Sequence, residues 1–412
     1  MKNNKSERKV VVTGLGIISP CGIGNNEFIN AIKQGQSGIK SISKYFDLYL
    51  PCQIAGMVLD FNPIDYIEKR NMPRGRSVQF AIAASKIAYD DAGLKSSNIN
   101  NDRFSVIIGT SVSGLGYFEE ELHKFRIKGS MNPYTCVGIF AGGSSSEISI
   151  RLGAKGYSNT ISNGCTSGTD AIGNAFQLIK NNMADIVICG GAEAPLTPSM
   201  LSGFSSLRVL SLQNNNPEKA CRPFDAKRDG MVLSEGAGML ILEDFEHAMK
   251  RDAKVYAEII GYSANNDAFH MTQPSLDGCS AAKCMQLAID NANIKPHNIQ
   301  CINAHGTSTK INDKTETKAI KNVFGGNAFQ IPIYAIKSMT GHSIGASGAI
   351  ETIAGILALN DGFIPPTINH EFFDPDCDLD YVPNKYRQKK VNILMKNSFG
   401  FGGKNSCLII SK

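Results

Sequence analysis

The chain has 412 residues, with 42 Lys and Arg against 37 Asp and Glu for a net charge of +5, and 42% hydrophobic residues. That length holds two domains or one large duplicated domain with ample core, and the composition is that of an ordinary globular protein. It excludes a nucleic-acid binder, which would show dense Lys/Arg runs, and a membrane-spanning chain, which needs ~20 consecutive apolar residues.

In chain order, residues 9–18 form an apolar run broken by Gly14 and Gly16. It is short for a secretory signal and reads as a first buried strand. Residues 25–34 and 75–92 carry apolar positions at helical spacing, the second as a long amphipathic helix. Residues 104–110 read as a buried strand, 157–161 as a short strand, 171–180 as a helix and 185–191 as another buried strand. Further on, a strand from 299 ends on His305, and a strand from 331 ends in Lys337. Strands alternating with helices predict an α/β fold. Eleven cysteines, an odd number with no Cys-x-x-Cys pair, read as reduced thiols in the cytoplasm and not as a disulfide framework.

An internal repeat organises the chain. Residues 88–99 match 288–299 position for position, with Ala88 opposite Ala288, Ala92 opposite Ala292 and Gly93 opposite Asn293. After a small length difference, Gly109-Thr110-Ser111 falls opposite Gly306-Thr307-Ser308. Cys165-Thr166-Ser167-Gly168 resembles Gly345-Ala346-Ser347-Gly348, each opening a helix. Matches in the same order predict a duplicated fold of two halves, 1–255 and 256–412, packed about a pseudo-twofold axis. Residues 114–138 and 195–228 do not repeat and read as insertions.

Three groups carry the chemistry. Cys165 stands at a strand-to-helix junction, where free N–H groups and the helix dipole favour thiolate over thiol. His305 ends a strand among small neighbours, and His342 sits in a glycine-flanked turn. A thiolate can take an acyl group from a thioester, and two imidazoles can hold one carbonyl oxygen as an enolate forms. Lys337 would keep His342 neutral by its charge. No His-x-x-x-His or Cys-x-x-Cys spacing supports a metal site, and Gly14-x-Gly16 lacks the spacing of a dinucleotide fingerprint.

Four motifs extend this pattern: Cys165-Thr166-Ser167-Gly168, residues 303–309 around His305, residues 337–342, and residues 397–403 with Phe399 and Phe401. Together they resemble the motif set of the β-ketoacyl-[acyl-carrier-protein] synthases, and the resemblance spans essentially the whole chain. It implies a thiolase-like fold: α/β, internally duplicated, five-layered αβαβα. It also implies that Cys165 is the acyl-accepting nucleophile, that His305 and His342 bind the malonyl thioester carbonyl, and that Lys337 orders the site, paired with Glu351. The N–H groups of Cys165 and Phe401 would form an oxyanion hole. Phe401 would gate the site, on a loop made mobile by Gly400 and Gly402. Thr307 and Thr309 would bind the phosphopantetheine arm of an acyl carrier protein, so no separate cofactor is implied. Lys69, Arg70, Arg74 and Arg208 are candidates for docking that acidic partner.

Gly164, Asp170, residues 76–81 and residues 342–345 resemble the catalytic ketosynthase subunit of type II polyketide synthases, which pairs with a chain-length-factor homologue. Residues 397–403 resemble the homodimeric elongating synthase of fatty-acid synthesis, although Lys404 departs from the threonine usual there. The polyketide subunit is the expectation, and the fatty-acid enzyme is the alternative. A coenzyme A-dependent thiolase would need a second cysteine in the loop 397–404. A non-catalytic chain-length-factor scaffold would lack the nucleophile.

Overall fold

The computed structural model describes residues 8–46, 50–73 and 75–412. Strands β1 (Val10–Ser19), β2 (Phe104–Gly109), β3 (Ser158–Ile161), β4 (Ile186–Glu193) and β5 (Gly236–Asp244) belong to the first half. Strands β6 (Ala257–Asn266), β7 (Cys301–Asn303), β8 (Ile333–Tyr334), β9 (Ile393–Gly400) and β10 (Lys404–Ser411) belong to the second. Among the described residues these ten, with the short strand Gly22–Ile23, form one eleven-stranded mixed sheet ordered β8-β7-β9-β10-β6-β1-β5-β4-β2-β3.

Each half repeats one arrangement: its second strand runs parallel to its third and fourth, and its fifth is antiparallel to its fourth and first. The halves join where β1 and β6 pair antiparallel, Val10 opposite Ile259 and Val12 opposite Ala257. The two sheet layers are therefore hydrogen-bonded into one. Parallel strands are buried on both faces and need helices on both sides. Helices α1 (Arg76–Asp91) and α2 (Gly143–Leu152) cover the first half outside, and α4 (Cys279–Asn291) and α5 (Lys310–Phe324) the second. Between the halves lie α3 (Ser167–Lys180) and α6 (Ser347–Asp361), packed on each other and on strands of both. This gives the five layers of a thiolase-like fold.

The repeat read from sequence has a packing cause. A Cβ on Gly14 would lie 2.3 Å from the Ala88 carbonyl oxygen, and one on Gly261 would lie 2.5 Å from that of Ala288. Backbone meets backbone at equivalent places, so glycine on the strand and alanine on the helix recur together. Gly93 and Asn293 are both left-handed, at φ 66° and 54°. The length difference is the extra turn Asn101–Arg103 before β2.

Two element boundaries differ from expectation. The strand expected from residue 331 to Lys337 contracts to β8, because Ile336 is already helical (φ −73°, ψ −7°) and Lys337 opens the short helix Lys337–Thr340. The helix expected from residue 171 starts earlier, at Ser167. The insertions hold the helices Leu115–Lys128, Thr135–Gly138, Pro198–Ser206 and Pro217–Ala220. All eleven cysteines are unpaired, and among the described residues no helix is long and apolar enough to cross a membrane.

Candidate active site

The N-termini of α3 and α6 meet between the layers: a Cβ on Gly168 would lie 2.9 Å from the Gly345 carbonyl oxygen. Cys165 sits just before α3, in the turn Gly164–Thr166, entered through left-handed Gly164 at φ 61°. Asp170 fixes that turn. Its carboxylate accepts from Thr166 Oγ1 at 2.8 Å, Asn163 Nδ2 at 2.9 Å and the Tyr262 hydroxyl at 3.0 Å. Gly400 packs over it, its Cα so placed that a Cβ would lie 3.2 Å from the Cys165 nitrogen.

The thiolate expectation fails here. Burial pushes the Cys165 thiol up to about 11, against the lowering influence of Lys337, the Phe401 N–H and its own N–H. Buried Glu193 adds to the rise. Desolvation of the anion exceeds what one helix end and two N–H groups return. At rest Cys165 is a thiol.

His305 lies two residues beyond β7, and its N–H and that of Gly306 donate to the Glu316 carboxylate at 2.7 and 2.8 Å. His342 lies beyond Gly341, with its N–H donating to the Val232 carbonyl at 2.7 Å. The rings meet edge to face, centroids 5.4 Å apart. His342 Nε2 is 3.2 Å from Cys165 Sγ. Donor atoms of the thiol and both rings all lie within 4.8 Å of one another. Burial first, and then the Lys337 charge, hold both imidazoles well below their usual pKa. Both rings are neutral.

Lys337 donates to the His305 carbonyl at 2.6 Å, pairs with Glu351, and stands 3.3 Å from His305 Nδ1. An ammonium only donates, so Nδ1 accepts and the His305 proton resides on Nε2. Lys337 was expected beside His342, five residues further on, yet its direct contacts are to His305. The His342 Nδ1 stands 2.9 Å from the Ser347 hydroxyl, itself 3.1 Å from that of Ser343. Phe399 packs on the His305 ring at 5.9 Å. Phe401 is half-exposed against Phe204 at 6.3 Å, and Gly402 and Gly403 hold its loop at φ 78° and 70°. Thr307 and Thr309 share a hydroxyl contact of 2.9 Å.

The two halves of the chain match the family models "Beta-ketoacyl synthase, N-terminal domain" over residues 7–248 and "Beta-ketoacyl synthase, C-terminal domain" over residues 256–371. The chain belongs to the β-ketoacyl synthase family. The synthase is thus an acyltransferase. It is 42% identical over 412 residues to 3-oxoacyl-[acyl-carrier-protein] synthase 2 of Synechocystis sp., covering 99% of both chains. Among solved structures, it resembles a ketosynthase from a type II polyketide synthase acyl-carrier-protein complex, with TM-score 0.91, 37% identity, and 98% and 100% coverage. It also resembles the ishigamide ketosynthase/chain length factor, with TM-score 0.93, 36% identity, and 99% and 100% coverage.

The synthase also places residues that sequence reasoning missed. Lys396, wholly buried on β9, lies 2.8 Å from Glu351 Oε2. Its signal was a lone lysine in the apolar run Ile393-Leu394-Met395. Glu193, buried at the end of β4, accepts from the N–H groups of Ser111, Val112, Ser113 and Gly345. The docking candidates are dispersed. Arg208 is exposed four residues after Phe204. Lys69 and Arg70 lie on an exposed turn tied to α2 by Arg151, with Arg70 paired to Glu68. Arg74 falls outside the described residues. The thiol and imidazoles are possible soft donors, but the ammonium groups of Lys337 and Lys396 behind them oppose a cation there.

Proposed function

We propose that the synthase is a 3-oxoacyl-[acyl-carrier-protein] synthase of the fatty-acid elongating type, catalysing decarboxylative condensation of a malonyl thioester with a Cys165-bound acyl chain. The observation that carries this reading is the convergence of one thiol and two neutral imidazoles within 4.8 Å. The 42% identity to a synthase 2 enzyme along nearly the whole of both chains favours the fatty-acid branch over the polyketide subunit. The polyketide reading is second, favoured by the likeness to ketosynthase structures at 36% and 37% identity.

In the first half-reaction the Cys165 S–H proton passes to His342 Nε2 as sulfur attacks the acyl thioester. It then passes to the departing pantetheine sulfur. The N–H groups of Cys165 and Phe401, which both favour the anionic sulfur, hold the oxyanion. The His342 proton then moves from Nδ1 to Nε2 with the Ser347 and Ser343 hydroxyls beside it. In the second half-reaction the malonyl thioester loses carbon dioxide, and Nε2–H of each ring donates to the enolate oxygen. The enolate carbon attacks the acyl-Cys165 carbonyl. The sulfur leaves as thiolate and regains a proton from solvent.

The carrier of both substrates is read as an acyl carrier protein, with Thr307 and Thr309 toward its phosphopantetheine arm. Edge strand β3 and the exposed apolar side chains of Tyr134, Val137, Phe140, Ile150 and Tyr157 favour pairing with a second copy or a homologous chain. Eleven free thiols suit the reducing cytoplasm.

The test is condensation of labelled malonyl- and acyl-carrier protein by the purified chain alone. Cys165→Gln is expected to lose acyl transfer and keep malonyl decarboxylation, and His305→Ala to keep acyl-enzyme formation and lose decarboxylation. Acyl transfer surviving in Cys165→Gln would remove the nucleophile assignment. A requirement for a co-purified homologue lacking the cysteine would move the protein to the polyketide branch.

A further inference from the structure

Glu351 carries two lysines. One carboxylate oxygen is held by Lys337 and the other lies 2.8 Å from Lys396 Nζ. The second contact is an ion pair. The Lys396 ammonium also donates to the Asn397 carbonyl and to Ser398 Oγ at 2.8 Å. Lys337, Glu351 and Lys396 are each 2% exposed or less.

A buried lysine–glutamate pair is neutral as a unit, and each buried ion costs several kcal/mol in desolvation. A second buried lysine adds to that cost, standing against the Glu351 oxygen that Lys337 does not hold. What it changes is charge: two ammonium groups on one carboxylate leave one positive charge in excess. That excess sits behind both imidazoles. Lys396 depresses the pKa of each, after burial and Lys337 and, for His305, after His342; its own pKa is lowered by burial while Glu351 sustains it. The other groups facing His305 are Glu316 and His342. Glu316 is itself pushed up to about 7 by burial, so near neutrality it offsets the excess only in part.

We infer that Lys396 is a positioning residue of the condensation site, holding Glu351 so that a surplus positive charge stands behind the two rings as the enolate forms. In a dry site that charge favours the anionic enolate over the neutral thioester carbonyl. This inference rests on the condensation reading of the site, and it adds that the second half-reaction depends on Lys396 while the first does not.

The experiment compares wild type with Lys396→Met, which keeps the length of the side chain and removes its charge. Three readouts are taken: acyl transfer to Cys165, malonyl-carrier-protein decarboxylation, and the titration of the His305 and His342 rings by nitrogen-15 NMR. Wild-type failure to decarboxylate would sink the condensation reading itself, whatever Lys396 does. With wild type active, Lys396→Met is expected to keep acyl transfer within about threefold, lose decarboxylation by tenfold or more, and raise the ring titrations by a unit or more. The double variant Lys396→Met/Glu351→Gln leaves Lys337 as the one charge, and its ring titrations should return toward wild type. Unchanged titrations in Lys396→Met, or no return in the double variant, would overturn the inference. Should the variants not fold, wild type alone decides: rings that protonate near the ordinary 6.5 would refute a surplus charge behind them.

Discussion

Treating the protein with iodoacetamide between about pH 6 and 9.5, with Cys165 followed by mass spectrometry, measures how the half-buried thiol ionises. A thiol raised from 9.0 to about 11 disfavours its anion by about 2.7 kcal/mol. At pH 7 about one Cys165 in ten thousand is then thiolate, against about one in a hundred for an unperturbed thiol. The more basic sulfur is intrinsically the better nucleophile, which returns about tenfold. Alkylation of Cys165 at pH 7 is therefore expected about tenfold slower than that of exposed Cys136. Its logarithm should climb about one unit per pH unit with no plateau up to pH 9.5. A plateau below pH 8, or Cys165 reacting faster than Cys136 at pH 7, would restore the thiolate and refute the dominance of desolvation over the helix end.

Gly109→Ala would set a Cβ 2.3 Å from the Ser167 carbonyl group, at the start of the helix that follows Cys165. A loss of about 2 kcal/mol is expected, and an unchanged urea midpoint would contradict the close approach. Glu316, raised from 4.5 to about 7, keeps its proton in the folded state where the unfolded chain has released it. Stability should therefore fall as pH rises from 4.5 to 7, by at most about 3 kcal/mol, and Glu316→Gln should remove that share of the slope in urea titrations. Gly402→Val forces a β-branched residue to φ 78° at about 1–2 kcal/mol. It should slow acyl transfer more than malonyl decarboxylation, and equal losses in both would detach the Phe401 loop from the first half-reaction.

Much of the fold was legible because its duplication is written in small residues. Ala88 and Ala288, Gly93 and Asn293, and Ser167 and Ser347 recur in the structure as equivalent contacts, left-handed turns and helix starts. Cys165, His305, His342 and the Lys337–Glu351 pair stand in local motifs, so the structure brings together groups the sequence had marked. Lys396 escaped notice because nothing in Ile393-Leu394-Met395 tells which way the next side chain faces. Glu193 escaped because its partners, Ser111 to Ser113 and Gly345, come from two distant segments. The state of the thiol was misread for a related reason. Helix position is a local property, and desolvation depends on everything packed around the sulfur.

Gly345 occupies, in the second half, the place of Cys165 in the first. A Cβ there would stand 2.5 Å from the Glu193 carboxylate and 2.8 Å from the Ser111 nitrogen, so that place cannot carry a reactive side chain. Each half of the chain holds only part of the apparatus, the sulfur in one and the imidazoles in the other. A saturating acyl donor should accordingly load a single equivalent per polypeptide.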